Sequence, residues 1–302
     1  MDYFYGLAQT IGVHTILGLS AYVVLQTGQV TMAQAAFYAV GAYVSAMLTT
    51  LWGLDIFLAI PAAAAAAGLL AALAGFPALR FKGLMLVVAT MALGEAVREF
   101  FFNFDYQIAK GDLKVGPAGA EGFRQIRYFY ERGWTTLEVA MFIWMFVIGI
   151  MALLWWIDRS RLGAVLRAVG EDELAAQSAG INLTAVKVTA FAIGGAIAGA
   201  GGALYAHYTT HVEHTAFGVL MATFAIAYPI LGGLSSVFGT LIAVLFIQGF
   251  LIQWLPILIG GELRNLLFGL LILLAMNLRP RGLIDPRVAR TLRGLFVRSP
   301  NA

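Results

Sequence analysis

Long apolar segments, separated by short polar or glycine-containing stretches, run through nearly the whole chain. A helix needs about 20 mostly apolar residues to cross a membrane. The segments that approach or reach this length are 4–25, 30–51, 56–76, 84–104, 137–157, 188–207, 216–231, 238–259 and 266–278. Segments 216–231 and 266–278 are short, which favours a re-entrant or broken helix at one of them. The pattern predicts an all-α fold, a polytopic transmembrane helix bundle of about nine spanning or re-entrant helices, with eight to ten as the accepted range.

The composition supports a membrane protein built as one domain. Hydrophobic residues make up 61% of the chain and charged residues 12%, with a mean hydropathy of +0.84, against about 45–50% and about 25% in soluble domains. We therefore expect residues 1–302 to form a single transmembrane domain, with 105–138 as a loop outside the membrane. The first apolar segment lacks a basic leader and a small-residue cleavage site, so we expect a retained helix. The absence of cysteine excludes disulfides and thiolate sites.

The distribution of charge predicts the orientation. Lys and Arg concentrate on the cytoplasmic side of membrane proteins. Three segments that the predicted spans place on one side carry twelve basic and five acidic residues, and the rest of the chain carries seven basic and eleven acidic residues. These segments are the 80–82 turn, the loop 158–187 and the tail 279–302. We expect this side and the C-terminus to be cytoplasmic, and the N-terminus and loop 105–138 to be periplasmic. This topology accounts for a pI near 9.2 without a nucleic-acid partner.

Small residues predict close helix packing. Gly195 and Gly199 form a G-x-x-x-G pair, and Gly194, Ala198 and Gly202 form a second small stripe. Small side chains let helix backbones approach closely in lipid. The alanine run 62–67 offers another smooth surface. These features indicate a bundle and carry no functional information.

The predicted cytoplasmic loop 158–187 contains a candidate docking helix. A short helix is expected over 171–179, with the carboxylates of Glu171, Asp172 and Glu173 in its first turn, where they suit the helix dipole. Gly180 is placed to end it as a C′ residue. The segment is either a docking helix for a partner or an ordinary solvated loop, and its spacing alone leaves both open.

Several motifs of this sequence resemble a known family. The string 173–180 (E-L-A-A-Q-S-A-G) is similar to the E-A-A-x-x-x-G signature of importer permeases, with Leu174 replacing the first alanine. The chain as a whole resembles the LivM-type permeases of branched-chain amino acid ABC transporters. The stretches that carry this resemblance are 28–31, 35–37, 41–43, Gly94 and Glu95 with Arg98 and Asn103, 116–119, 203–208, 231–234 and 279–283.

The resemblance implies a transport subunit of the bacterial inner membrane with an ABC importer permease fold. Implied partners are a sibling permease of the LivH type, two cytoplasmic ATPases, a periplasmic substrate-binding protein and membrane lipids. ATP and Mg would bind to the ATPases, because this chain has no Walker loop and no cofactor of its own is expected. The residues implied to couple to the ATPase are Glu171, Asp172, Glu173, Ala175, Ala176 and Gly180.

The sequence departs from the family pattern at two places. The family tends toward Ser-Leu-Gly-His where this chain has Thr-Met-Ala-Gln at 31–34, and the stretch 209–214 is also unusual. Leu, Ile, Val or a similar small hydrophobic or amide solute is the expected cargo, and its exact identity stays open.

Polar residues inside the predicted spans are candidates for the translocation path. Gln29 lies directly before the second predicted span, and Gln34, Phe37 and Tyr43 lie in it. The polar side chains would either line the path or form hydrogen bonds between helices. Glu95 and Arg98 lie three residues apart in the fourth span. They are expected to pair, either as a structural pair near the outer interface or as a substrate contact, since charges at membrane depth are costly.

Two other classes of function are carried as alternatives. Nine spans could contain inverted repeats, which would suit a secondary transporter, but few buried acids are available to couple to an ion. His207, His211 and His214 with Glu213 form H-x-x-x-H-x-E-H, a spacing that could hold a metal in an intramembrane enzyme. The same residues fit the polar outer end of a span, and no metal site is expected there.

Overall fold

The computed structural model describes residues 2–78, 80–110 and 113–254, together with Leu266, Gly269 and Leu270. These residues are mainly helical. The helices are α1 (Asp2–Leu25), α2 (Gln34–Thr50), α3 (Ile56–Ala78), α4 (Leu84–Asn103), α5 (Tyr128–Glu131), α6 (Thr136–Arg159), α7 (Arg161–Glu171), α8 (Glu173–Ser178), α9 (Leu183–Thr209), α10 (Val219–Gly232) and α11 (Val237–Val244). A π-helical segment, Leu245–Trp254, follows α11.

The loop between α4 and α6 contains a small β-hairpin, so the all-α prediction holds only for the bundle. Strands β1 (Ile108–Lys110) and β2 (Leu113–Val115) pair antiparallel. The 3₁₀ turn Gly119–Glu121 follows, and Phe123 forms an antiparallel bridge with Val212, next to the end of α9.

The long helices alternate in direction. The Thr10 hydroxyl lies 2.8 Å from the Tyr208 hydroxyl, near the start of α1 and the end of α9, so these helices run antiparallel. Thr49 and His207, at the ends of α2 and α9, are hydrogen-bonded at 2.9 Å, so these helices end together. We call the side that carries β1 and β2 the hairpin end, and the opposite side the α7–α8 end.

Helix α9 is the centre of the bundle because its glycines let three helices approach it. A methyl group on Gly202 would collide with the carbonyl oxygen of Tyr38 in α2, and one on Gly195 would collide with Ala71 in α3. A Cβ on Gly194 would lie 2.7 Å from the carbonyl oxygen of Ser20 in α1. The two predicted small-residue stripes therefore pack α9 against different neighbours.

Helices α10 and α11 form a bent pair. The axes of Val219–Gly232 and Val237–Phe250 differ by 118°, the geometry of a broken span or a re-entrant loop. Tyr228 joins the pair to α1, since its hydroxyl accepts a hydrogen bond from Gln248 at 2.7 Å and shares another with His14 at 3.0 Å. The short predicted segment 216–231 is thus part of a broken or re-entrant element, as its length suggested.

The predicted count of nine spans stays a prediction. Within the described range, α1, α3, α6 and α9 are long and apolar enough to cross a membrane, or five elements if the bent pair counts as one. Helix α2 is not among them because it has only 17 residues, and α4 is not because it contains three charged residues. Most of the segment 266–278 and the whole tail 279–302 lie outside the described residues.

Candidate functional site

The short helix that the sequence predicts over 171–179 is present as α8 (Glu173–Ser178), but it is shorter than expected. Helix α7, which the sequence did not predict, ends at Glu171. Asp172 then adopts an extended conformation, with φ −153° and ψ 108°, and its carboxylate accepts hydrogen bonds from the backbone N–H groups of Leu174 and Ala175 at 2.9 and 3.0 Å. Asp172 is therefore an N-cap, and a helix that began at Glu171 was the wrong prediction.

Helix α8 ends as the sequence predicted. Gly180 has φ +83°, the left-handed conformation that glycine adopts without a Cβ penalty. Its N–H donates to the carbonyl oxygen of Gln177, and the N–H of Ile181 donates to that of Ala176. This pair of hydrogen bonds defines a Schellman C-cap. Ala176 is buried, whereas Ala175 and Gly180 are exposed, so α8 rests on the bundle by one face and presents the other outward.

Glu173 anchors α8 to two other parts of the bundle. Its carboxylate accepts a 2.6 Å hydrogen bond from the Nζ of Lys187 in α9 and lies 3.3 Å from the Nζ of Lys82 in the α3–α4 connection. The Lys187 side chain is only 7% exposed, whereas that of Lys82 is 78% exposed. The hydrogen bond from Lys187, together with attraction to both ammonium groups, lowers the pKa of Glu173. The carboxylate therefore stays charged and holds the buried ammonium group.

Helix α7 is tied to the end of α1 by backbone contact. A Cβ on Gly28 would lie 3.3 Å from the carbonyl oxygen of Gly170, and a methyl group on Gly170 would collide with the carbonyl oxygen of Gln26. Gly28 has φ +75°, so glycine also suits this turn. Nearby, the carboxylate of Asp158 accepts hydrogen bonds from the Tyr22 hydroxyl at 2.8 Å and from the Gln26 amide at 2.7 Å. The end of α6 and the end of α7 are thus fixed to the same turn.

A cleft of about 300 Å³ lies between these tied segments. Its walls come from the turn after α1, the α3–α4 connection with the start of α4, and the side chains of Glu173 and Lys187. Gln29 lines this cleft and is 5% exposed. The structure therefore brings one candidate path residue, Gln29, next to one candidate coupling residue, Glu173.

Buried polar atoms without partners among the described residues lie along α2. Gln34 is completely buried, and neither its amide nitrogen nor its amide oxygen has a hydrogen-bond partner among the described residues. The hydroxyls of Tyr43 and Ser45, farther along α2, are likewise buried without a partner in that part of the chain. Buried polar groups are normally paired, so these three side chains are exceptions to the usual pattern.

Aromatic contacts fix the other predicted path residues of α2. Phe37 is fully buried and meets Phe191 of α9 edge to face, with ring centroids 5.5 Å apart. Tyr43 stacks on Phe101 of α4 at 3.9 Å. These rings hold α2 between α9 and α4 and leave the polar groups of α2 at defined positions.

The predicted Glu95–Arg98 pair is confirmed. The Arg98 Nε donates to Glu95 Oε2 at 2.6 Å, and the same guanidinium donates to Glu99 at 2.7 Å. The Glu95 and Arg98 side chains are 37% and 27% exposed, on an α4 that packs loosely on the bundle. Glu95 also borders a narrow cavity shared with Met32 and Phe217. The pair is therefore adjacent to the start of α2.

The three histidines have separate environments. His207 is buried and bonded through both ring nitrogens, to the Thr49 hydroxyl at 2.9 Å and the carbonyl oxygen of Ala203 at 2.7 Å. His211 lies 3.9 Å from Glu213, and His214 packs on the ring of Phe102. In the described part of the chain, no three His, Asp or Glu side chains gather as metal ligands would.

Several residues of this region escaped sequence reasoning. Tyr22 and Gln26 lie far in sequence from their partner Asp158, and Gly170 has no side chain that would single it out. Only the fold brings these residues together. In the sequence, Lys187 serves only as one of the basic residues that predict the orientation. Lys187 directly precedes the predicted span 188–207. A lysine at the edge of an apolar segment often has an acidic partner, and this position is the signal that could have identified it.

Several helices of the described range are long and apolar enough to cross a membrane, which is the architecture of a polytopic membrane protein. The chain belongs to the family described as branched-chain amino acid transport system / permease component, which matches residues 3–276.

Individual relatives agree with this assignment. The chain is 29% identical, over 297 residues, to the high-affinity branched-chain amino acid transport system permease protein LivM of both Salmonella typhimurium and Escherichia coli. These matches cover 91% of this chain and 66% of each relative, just under two thirds of their length. The ribose import permease protein RbsC of Haemophilus influenzae is 33% identical over 148 residues, 46% of this chain and 45% of that protein. No solved structure shows a significant match.

Proposed function

We propose that this chain is the transmembrane permease subunit of an ATP-driven bacterial importer, forming half of the translocation path for branched-chain amino acids or similar small hydrophobic or amide solutes. The anchored helix α8 is the observation that carries the proposal. An exposed short helix bonded by Glu173 to a buried lysine is suited to receive force from a partner, because its movement must move α9 as well. Family membership and the similarity to LivM support the class of cargo.

The proposed assembly contains a sibling permease, two cytoplasmic ATPases and a periplasmic substrate-binding protein, embedded in inner-membrane lipid. The α7–α8 end is proposed to face the cytoplasm, with the N-terminus in the periplasm. Arg80, Lys82, Arg159, Arg161 and Arg167 lie at or near this end, and a concentration of basic residues is typical of cytoplasmic loops.

In the proposed coupling route, the ATPases engage the exposed face of α7–α8. Glu171, Asp172, Ala175 and Gly180 would present or shape that face, and Ala176 would seat it on the bundle. Movement passes to α9 through Glu173 and Lys187, and to the turn after α1 through the contact of Gly170 with Gln26. That turn continues directly into α2.

In the proposed path, the solute passes along α2. The unpaired amide of Gln34 and hydroxyl of Tyr43 would exchange hydrogen bonds with the solute or with water that accompanies it, since both are buried without partners among the described residues. Gln29 would line the route at the α7–α8 end, and Phe37 would supply an apolar wall. Glu95 and Arg98 are paired with each other beside the start of α2 and would border the route there.

Reconstituted uptake tests the proposal. The chain, assembled with its permease, ATPase and binding-protein partners in proteoliposomes, should accumulate labelled leucine, isoleucine or valine only when ATP is supplied to the ATPase side. An ATPase-dead partner is the matched control. Uptake driven by an ion gradient without ATP would instead establish the secondary-transporter alternative.

A further inference from the structure

Two residues at the hairpin end have left-handed backbone conformations that are unusual for residues other than glycine. Gln125 has φ +65° and Thr210 has φ +59°. Such conformations are uncommon, above all for a β-branched residue such as threonine, and they concentrate where a site requires a particular backbone. Both residues lie beside the bridge between Phe123 and Val212, and the N–H of Ile126 donates to the carbonyl oxygen of Thr210 at 3.0 Å.

The same two residues line one pocket. This pocket has a volume of about 420 Å³ and is formed by Arg124, Gln125, Arg127, Thr210 and His211. We call it the Arg124–Arg127 pocket. The strained backbone joins the loop before α5 to the segment after α9, and so brings the two arginines and the imidazole to one concave surface.

The charges of the pocket are incompletely paired. Arg124 and Arg127 are exposed, and neither has an ion pair within the described residues. The Nδ1 of His211 is buried and lacks a hydrogen-bond partner in the same part of the chain, and its Nε2 lies 3.9 Å from a carboxylate oxygen of Glu213. Guanidinium groups bind carboxylates in bidentate geometry. The pocket therefore suits a carboxylate that comes from outside this chain.

We infer that the Arg124–Arg127 pocket docks carboxylate side chains on the surface of a soluble protein partner. All five lining residues are polar, and both arginines are open to solvent, whereas pockets for free small molecules are mostly apolar and enclose their ligand. The inference rests on the proposed function, in which a binding protein delivers the solute to this end of the bundle.

Binding of the solute-loaded binding protein to the complete transporter in nanodiscs tests this inference. The double variant Arg124→Glu with Arg127→Glu should lower the affinity at least tenfold and flatten its dependence on salt, because reversed rim charges repel the partner and slow association. Arg132→Glu is the control for a reversed charge at the same end, with half the total change in charge, since the Arg132 guanidinium is held over the ring of Tyr128 at 3.7 Å. Basal ATPase activity reports that each complex is assembled.

Three outcomes would overturn the inference. Equal affinities for wild type and the Arg124→Glu with Arg127→Glu variant would show that the pocket does not dock the partner. Calorimetric binding of free leucine to wild type that the double variant loses, with docking unchanged, would assign the pocket to a small carboxylate instead. If the wild-type assembly bound no binding protein and showed no ATP-dependent uptake, the proposed function itself would fail and the inference with it.

Discussion

Glu173 and Lys187 lie 14 residues apart in sequence and are joined by a 2.6 Å hydrogen bond across the start of α9. The lysine is almost fully buried, and Glu173 is the carboxylate that compensates its charge. Lys82, from the α3–α4 connection, approaches the other carboxylate oxygen at 3.3 Å. One side chain of a six-residue helix thus connects three segments at the α7–α8 end.

Removal of Glu173 should destabilise the protein through Lys187. Glu173→Ala leaves the buried ammonium group without its partner, and we expect the free energy of unfolding to fall by about 1–3 kcal/mol. Adding Lys187→Met should recover part of this loss, because an apolar replacement of a whole buried pair is tolerated better than half a pair. Chemical denaturation in detergent measures both effects. Glu171→Ala, on an exposed residue, is the control, and an equal loss in that variant would contradict the argument.

The same pair predicts a dependence of stability on pH. The pKa of Glu173 is lowered from the ordinary value of 4.5, so the folded state binds this proton less readily than the unfolded state does. Its contribution to stability is therefore complete above pH 4.5 and is lost as the pH falls through the lower folded pKa. We expect the difference in melting temperature between wild type and Glu173→Gln to shrink below pH 4.5. A difference that stays constant on acidification would show that the charge of Glu173 does not stabilise the fold.

The close contact of α7 with the turn after α1 should not tolerate a methyl group. Gly170→Ala would push against the carbonyl oxygen of Gln26, and overpacking of this kind typically costs about 1–3 kcal/mol. We expect a lower melting temperature and weaker stimulation of the partner ATPases. Gly149→Ala is the matched control, because a Cβ at Gly149 meets no atom within 4 Å. If the two variants behaved alike, the contact would have no role in stability or coupling.

Gln34 should show opposite effects on stability and transport. A buried amide without partners costs about 1–3 kcal/mol, so Gln34→Leu should leave stability unchanged or raise it, while uptake falls if the amide contacts the solute. Gln9→Leu is the control, since the Gln9 amide donates to the carbonyl oxygen of Thr136 at 2.8 Å and its loss should lower stability with little effect on uptake. Full uptake by Gln34→Leu at normal protein levels would remove Gln34 from the path.

The sequence predicted the parts of the molecule that local chemistry determines. Apolar length located the long helices, Gly180 marked the end of α8, and the three-residue spacing of Glu95 and Arg98 predicted their ion pair. The start of α8 was missed because capping by Asp172 depends on one extended residue between two helices, and an acidic run does not reveal which of its members caps.

Features that depend on distant segments could not be predicted in this way. The hydrogen bonds of Asp158 with Tyr22 and Gln26 join residues more than 130 positions apart. The pairing of Lys187 with Glu173 likewise depends on the angle at which α8 returns to α9. The lack of a partner for the Gln34 amide among the described residues depends on how α2 packs against its neighbours, which the sequence does not show.

The coupling of α8 to transport is the central claim, and the ratio of solute transported to ATP hydrolysed in the same proteoliposomes tests it most directly. Gly180→Pro removes the left-handed C-cap of α8 and the N–H that donates to Gln177, whereas a Cβ at position 180 meets no atom within 4 Å. The damage should therefore stay within α8, so that the complex assembles and its basal ATP hydrolysis persists. We predict that the binding protein with its solute no longer stimulates ATP hydrolysis and that uptake falls in parallel, at least tenfold. Wild-type stimulation and wild-type uptake in Gly180→Pro would contradict the account.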